Sequence, residues 1–148
     1  MDHPFCHVEL MVADPTAAVA FYKKMFGWKF QTLPMAPGMD YHMFQTGKDP
    51  GGGIMGLPQP GIPPCWMAYV LVPNVATALE KAKKLGAQVM QEKMAAGEFG
   101  WFGVIIDPQG AALALWQPKP APKAKPASKA KPAPKTAKKP SPKAKKTR

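Results

Sequence analysis

Apolar residues recur along this chain at two spacings, one typical of strands and one of helices. Residues 6–13, CHVELMVA, form a mostly apolar run of strand length. From Pro15 to Phe26 the apolar residues follow helical spacing, with Asp14 placed as an N-cap and Gly27 as a C-terminal stop. The pattern predicts a strand followed by a helix.

Three further short strands are predicted in the first half of the chain. They are WKFQTL at 28–33, YHMFQTG at 41–47 and IMGL at 54–57, with glycine-containing turns between them. The stretch PQPGIPP at 58–64 has four prolines, which helices and sheet interiors exclude, and it is predicted to be a linker.

The same order of elements then recurs. A strand at 65–72 precedes Asn74, which can cap a helix over 75–85 that Gly86 ends. Strands are predicted at 87–93, 101–107 and 111–116, the last two joined by a tight turn. The chain is therefore predicted to be an α+β protein with two βαβββ modules, residues 1–57 and 65–117. Each module needs the other to cover its sheet, and the paired sheets can enclose a cleft.

The charge of the chain is concentrated at its C-terminus. Residues 118–148 hold 12 of the 20 Lys and Arg and none of the nine Asp and Glu, whereas the rest is close to neutral. Without large apolar residues this tail is predicted to be disordered. Its spaced charges favour binding to DNA or RNA, although a solvated tail or binding to anionic membranes or acidic proteins stays open. The basic residues are Lys119, Lys123, Lys125, Lys129, Lys131, Lys135, Lys138, Lys139, Lys143, Lys145, Lys146 and Arg148.

Cysteine usage and hydropathy bear on the compartment. Cys6 and Cys65 are too few for a disulfide framework, so free thiols are expected. The N-terminal MDHPFCH lacks the features of a signal peptide, and the chain has no apolar run of membrane-spanning length. We expect a cytoplasmic protein without transmembrane insertion, associated with the nucleoid if the tail binds DNA.

Two motifs resemble the vicinal oxygen chelate superfamily, which includes glyoxalase I, bleomycin-resistance proteins and extradiol dioxygenases. They are DPTAAVAFYKKMFGW at 14–28 and DPQGAALALWQP at 107–118. The second motif and the aromatic pattern of the first look most like the lactoylglutathione-lyase-related branch. The resemblance covers residues 6–117 and implies a glyoxalase-like fold, a ligand cleft lined by both modules and a homodimer.

The resemblance also implies four positions for metal ligands, and this chain departs from the pattern at three of them. His7 stands at the first position. The other three fall near Met55–Leu57, at about Met67 and at Ala114, none of which is a useful ligand for a divalent metal. We therefore expect no metal cofactor. The alternative is a rearranged divalent site at His7, Glu9 and His42, serving an enzyme of lyase or dioxygenase type.

Strand periodicity suggests which residues line the cleft. His7 and Glu9, at i and i+2, are weak candidates for an acid–base pair. Each candidate has the alternative role of an ordinary core or strand residue. A cleft of this composition suits a small apolar or aromatic ligand. The candidates are His7, Glu9, His42, Phe44, Met67, Tyr69, Trp101, Gly103, Ala112 and Ala114.

Three functions follow from these observations. The favoured one is a small-molecule-binding protein of glyoxalase-like fold with a degenerate metal site and a nucleic-acid-binding tail. The first alternative is the metal-dependent enzyme. The second is a nucleic-acid-associated dimer in which the fold is a scaffold.

Overall fold

A computed structural model describes residues 2–47 and 50–120. The predicted tail lies outside the described part of the chain from residue 121 onwards, and eleven of its twelve basic residues are there. The elements, in chain order, are β1 (Phe5–Val12), α1 (Pro15–Phe26), β2 (Lys29–Ala36), β3 (Met39–Gln45), β4 (Gly52–Gly56), β5 (Cys65–Leu71), α2 (Val75–Lys84), β6 (Gln88–Ala96), β7 (Gly100–Ile106) and β8 (Ala112–Pro118). The predicted α+β fold with two βαβββ modules is confirmed.

Both helices begin at the residues that the sequence indicated. The Asp14 carboxylate accepts a hydrogen bond from the Ala17 amide at 2.9 Å, and the Asn74 side chain accepts one from the Thr77 amide at 3.0 Å. These caps satisfy amides that have no partner inside the helix. Gly27, at a φ of 68°, ends α1 in the left-handed region that glycine adopts easily.

The eight strands form one mixed sheet in the order β2-β3-β4-β1-β5-β8-β7-β6. Within the modules β1 pairs parallel with β4, and β5 pairs parallel with β8. The modules join where β1 and β5 pair antiparallel at the centre of the sheet. The first strand of each module therefore lies at the centre of the sheet.

Two strands, β2 and β6, extend three residues beyond their predicted ends. β2 continues through Pro34 to Ala36. A proline is tolerated in β2 because it is an edge strand, where the backbone N–H that proline lacks is not needed to pair with a further strand. β6 continues to Ala96, where a loop was expected from Met94, because Met94 and Ala96 pair with β7. The additional length brings Met94 beside Phe102.

The two faces of the sheet differ in what covers them. α1 packs against Leu10, Phe44 and Ile54, and α2 packs against Val72 and Leu115. Since both described helices lie on this side, we call the opposite side the helix-free face. Its buried residues are Met11, Met67, Tyr69 and Ala114, flanked by Met55, Phe102, Val104 and Trp116.

Cys6 and Cys65 are free thiols in the structure. They belong to adjacent strands, but Cys65 lies opposite Met11 rather than opposite Cys6. None of the helices in the described ranges is long and apolar enough to span a bilayer.

Candidate functional site

A buried polar cluster interrupts the apolar helix-free face. It consists of His7, Glu9, Tyr41 and Tyr69, and we call it the Glu9 cluster. The Tyr69 hydroxyl donates to Glu9 Oε2 at 2.7 Å, and the Tyr41 hydroxyl lies close enough to the Glu9 carboxyl to lower its pKa. His7 Nε2 lies 2.8 Å from the Tyr41 hydroxyl. Each polar side chain therefore has a partner in the cluster.

Strand register explains how these residues meet. His7 and Glu9 are two residues apart on β1, so their side chains share a face. On β5 Tyr69 lies directly opposite His7, and the two rings meet edge to face at 5.4 Å. The central pairing of the two modules thus places the Tyr69 hydroxyl beside the Glu9 carboxyl.

Tyr41 reaches the cluster from β3 by crossing over β4. Its ring lies over Gly53, where an added Cβ would collide with the phenol ring and hydroxyl. A residue with a side chain at position 53 would therefore push Tyr41 away from Glu9 and His7. Gly53 acts here by the space it leaves, since its φ is not in the positive range.

Burial determines the electrostatics of the Glu9 cluster. Glu9 is only 8% exposed, and burial raises the pKa of its carboxyl, although hydrogen bonds from Tyr69 and Tyr41 oppose that shift. Burial lowers the pKa of His7. The pKa values of Tyr41 and Tyr69 are raised by burial and by the nearby negative charge of Glu9. Burial therefore shifts the pKa of each of the four groups in the direction that favours its neutral form.

The arrangement provides a short path for a proton. The Tyr41 hydroxyl can donate to Glu9 while accepting from a protonated His7 Nε2, or donate to His7 while accepting from a protonated Glu9. Changing from one arrangement to the other transfers one proton between His7 and Glu9, and every donor keeps an acceptor. The Glu9 cluster can thus hold or relay one proton.

The structure brings together some of the predicted cleft residues and separates others. His7, Glu9, Met67, Tyr69 and Ala114 all lie on the helix-free face, at the junction of β1, β5 and β8. Ala112 shares that face with Ala114 by strand alternation.

The expectation that His42, Phe44, Trp101 and Gly103 share this face is wrong. His42 bonds Thr32 Oγ1 through Nδ1 at 2.9 Å and pairs with Ile54, whose side chain packs under α1. Phe44 stacks on Trp28 with ring centroids 4.6 Å apart.

Trp101 and Gly103 lie on the α2 side of β7. A Cβ at Gly103 would meet Leu79 of α2 at 2.9 Å. Phe102, which stands between Trp101 and Gly103 in the chain, faces the helix-free side. Lys93 Nζ lies 4.7 Å from the Trp101 ring centroid, so this tryptophan makes a cation–π contact instead of lining the helix-free face.

The residues present do not fit a divalent metal site. The alternative ligand set of His7, Glu9 and His42 is split, since His42 lies on the opposite face of the sheet. Within residues 2–47 and 50–120, no group of three or more His, Cys, Asp or Glu side chains is arranged to hold a metal ion. A stable divalent site needs at least three such donors.

Sequence reasoning missed Tyr41 and Gly53. In β3 both faces carry large side chains, Met39, Tyr41 and Met43 on one and His42 and Phe44 on the other, so alternation alone does not indicate the cleft side. A signal that could have found both residues is a tyrosine on one strand together with a glycine on the neighbouring strand.

Comparisons with known proteins agree with this fold. Residues 5–47 match the bleomycin resistance protein-like N-terminal family. Over 112 residues the chain is 34% identical to proteins of Mycobacterium tuberculosis and Mycobacterium bovis, each named "Putative glyoxylase CFP32". The match covers 76% of this chain but 43% of each relative, so the chain spans less than half of their length.

Solved structures with the same fold are more distant in sequence. Methylmalonyl-CoA epimerase from M. tuberculosis superposes with a TM-score of 0.62 at 16% identity, covering 78% of this chain and 88% of that one. A hypothetical protein from Bacillus halodurans superposes with a TM-score of 0.66 at 12% identity, covering 83% and 99%. At such identities these likenesses concern the fold alone.

Proposed function

This chain belongs to the vicinal oxygen chelate superfamily, the glyoxalase and bleomycin-resistance proteins, and from that premise we propose that it binds a small apolar or aromatic molecule on its helix-free face. The observation that carries the proposal is a hydrogen-bonded polar cluster set in an otherwise apolar face. Ligand sites typically combine an apolar lining with a few placed polar groups.

The lining of the helix-free face suits such a ligand. Met55, Phe102, Val104 and Trp116 are only partly buried around the buried floor, so a ligand can reach them. Methionine side chains adjust to differently shaped partners. The Glu9 cluster would then orient the ligand through hydrogen bonds.

A thermal-shift screen of small aromatic compounds tests this proposal, because ligands that bind only the native state raise its melting temperature. Compounds that stabilise the wild-type protein should stabilise Tyr41→Phe less. Tyr22→Phe is the matched control, since it removes a phenol hydroxyl on the α1 side of the sheet. Equal shifts in all three proteins would contradict binding at the Glu9 cluster.

The alternative function, a metal-dependent lyase or dioxygenase, makes a different prediction. It requires near-stoichiometric divalent metal in the purified protein and loss of that metal in His7→Ala. We expect neither, because among the described residues no third His, Cys, Asp or Glu stands with His7 and Glu9 in position to hold a metal ion. Elemental analysis of both proteins distinguishes the two functions.

We also propose that the basic tail binds DNA or RNA through phosphate contacts. Eleven Lys and Arg residues and no acidic residue follow Pro120. Filter binding at about 50 mM and about 200 mM salt should show a fall in affinity of at least tenfold, since each phosphate contact releases counterions.

The matched control for the tail should end after Pro120 and not earlier. β8 extends to Pro118, and the Lys119 amide donates to the Phe99 carbonyl at 3.0 Å, so a shorter chain would disturb the sheet. Equal retention of nucleic acid by the truncated and full-length chains would contradict the proposal.

We propose, finally, that the protein is a homodimer. α1 carries Phe21, Met25 and Phe26 at 58%, 62% and 54% exposure, an apolar surface that a second copy would cover. The dimer scaffold predicted as the second alternative would use the same surface.

A further inference from the structure

We infer that the ligand of the helix-free face is an organic cation, a quaternary or protonated amine on an apolar body, held beside Glu9. This inference rests on the proposed binding function and specifies the chemical class of its ligand. It is carried by the placement of one buried carboxyl among aromatic rings and sulfurs, with no cation beside it in the described residues.

Glu9 has no cationic partner within the described part of the chain. It is the only acidic side chain among the buried residues there. The recorded ion pairs there, Lys83 with Glu80 and Glu92 and Lys119 with Glu98, are all at the surface. Tyr69 and Tyr41 satisfy the hydrogen bonding of the carboxyl without neutralising it.

An amide would fit the position that the Glu9 carboxyl occupies. A glutamine has the same shape and could accept a hydrogen bond from Tyr69 while donating to Tyr41, at no cost of burying a charge. A buried unpaired carboxylate opposes folding. A bound cation would offset that cost, so the carboxyl has a use here that an amide could not supply.

Glu9 lies among the rings of Tyr41, Tyr69 and His7. Tyr69 donates to its carboxyl, Tyr41 lies close enough to affect its pKa, and His7 lies against both phenols. Phe102 and Trp116 lie farther along the same face, level with Leu71, whereas Glu9 is opposite Met67. Aromatic faces attract cations through the ring quadrupole, and a quaternary ammonium group is the usual ligand of such surroundings.

A ligand of the opposite charge does not fit beside Glu9. Among the described residues no Lys or Arg forms an ion pair with Glu9 or shifts its pKa, so none would compensate an anion there. An anionic group would meet a carboxyl and the negative faces of the rings, both of which repel it. A neutral ligand could donate a hydrogen bond to a phenol oxygen or to the carboxylate, but it would gain no charge attraction from the carboxylate.

Three probes with one benzyl body and different tetrahedral heads test the inference. Benzyltrimethylammonium is a cation, benzyldimethylamine N-oxide has no net charge, and benzylsulfonate is an anion. By calorimetric titration of the full-length protein at neutral pH, we expect the cation to bind at least about tenfold more tightly than the N-oxide. The sulfonate should not bind measurably.

Glu9→Gln supplies the decisive variant. It should reduce affinity for the ammonium probe to that for the N-oxide and leave affinity for the N-oxide unchanged. Circular dichroism and a melting curve establish that the variant is folded, and Tyr22→Phe should retain the full preference for the cation.

The outcomes separate this inference from the proposed function. If the three probes bind wild-type protein equally, the helix-free face binds small molecules without regard to charge, and the inference is wrong while the proposed function stands. A preference for the cation that survives in Glu9→Gln overturns the role of Glu9. Failure of all three probes overturns the inference, and the thermal-shift screen then judges the proposed function alone.

Discussion

Glu9 is the residue on which both proposals for the helix-free face depend. Its side chain is buried, its carboxyl accepts from Tyr69 at 2.7 Å, and burial raises its pKa. Two other residues support it: Gly53 leaves room for the Tyr41 ring, and the Tyr41 hydroxyl bonds His7. Single substitutions at these positions should have effects that can be distinguished.

Gly53→Ala should destabilise the protein by about 1–3 kcal/mol, because the added methyl overlaps the Tyr41 ring in a packed region. Urea denaturation measures the change. Gly56→Ala on the same strand is the matched control, since its added Cβ would have no atom within 4 Å. Similar effects of the two substitutions would mean that Tyr41 does not pack over Gly53.

Glu9→Gln should alter the pH dependence of stability in a defined direction. The raised pKa means that folded protein keeps a proton on Glu9 at pH values where the unfolded chain, with its ordinary value of 4.5, has lost it. The contribution of Glu9 is therefore fully present below 4.5 and is lost as pH rises through the folded-state pKa.

Urea denaturation from about pH 4 to about pH 8 measures this effect. The wild-type protein should lose stability relative to Glu9→Gln as pH rises. The lowered pKa of His7 works in the other direction, since folded protein resists its protonation below 6.5, but that contribution is common to both proteins and cancels in the difference. A difference that does not change with pH would contradict the raised pKa of Glu9.

At the scale of elements, the two helices are packed unequally. α2 buries Val75 and Leu79, whereas α1 has no buried residue and is held through half-buried side chains such as Ala18, Val19 and Tyr22. The outer side of α1 carries large apolar residues that the described chain leaves exposed. This difference is why we propose α1 as the contact surface of the proposed homodimer.

Phe21→Lys should shift the protein towards the monomer in sedimentation velocity, with little change in melting temperature of the monomer, because Phe21 is 58% exposed. Leu85→Lys is the control, since Leu85 is 68% exposed at the end of α2. If both variants sediment like the wild type, α1 is not the contact surface.

At the scale of the whole molecule, the pairing of β1 with β5 joins the modules and completes the candidate site. Glu9, His7 and Tyr41 come from the first module, and Tyr69, Met67 and Ala114 come from the second. Neither module has the buried floor of the helix-free face by itself.

A chain of residues 1–57 should therefore fail to fold, because it would expose Met11 and leave Glu9 without Tyr69. Circular dichroism and amide exchange measure this. A chain ending after Pro120 should melt at the wild-type temperature, since it keeps all eight strands. Cooperative unfolding of residues 1–57 would mean that the modules are independent.

Much of the fold could be predicted from local patterns. The caps at Asp14 and Asn74, the stop at Gly27 and the recurring order of strands depend on interactions between residues close in the chain. The same patterns carried the superfamily resemblance. The presence of His7, Glu9, Met67, Tyr69 and Ala114 on one face followed from alternation along β1, β5 and β8.

Other features depended on contacts between distant strands. The face of β3 was misjudged because both of its sides carry large residues, so only the pairing of His42 with Ile54 decides that His42 packs under α1. The reach of Tyr41 over Gly53 likewise joins residues on different strands. The order of helices and strands along the chain, and the ends of the helices, were thus determined by the sequence alone, since local hydrogen bonds and periodicity specify them. Only the tertiary structure decided which side chains surround Glu9, because register and side-chain reach across a sheet depend on all of its strands at once.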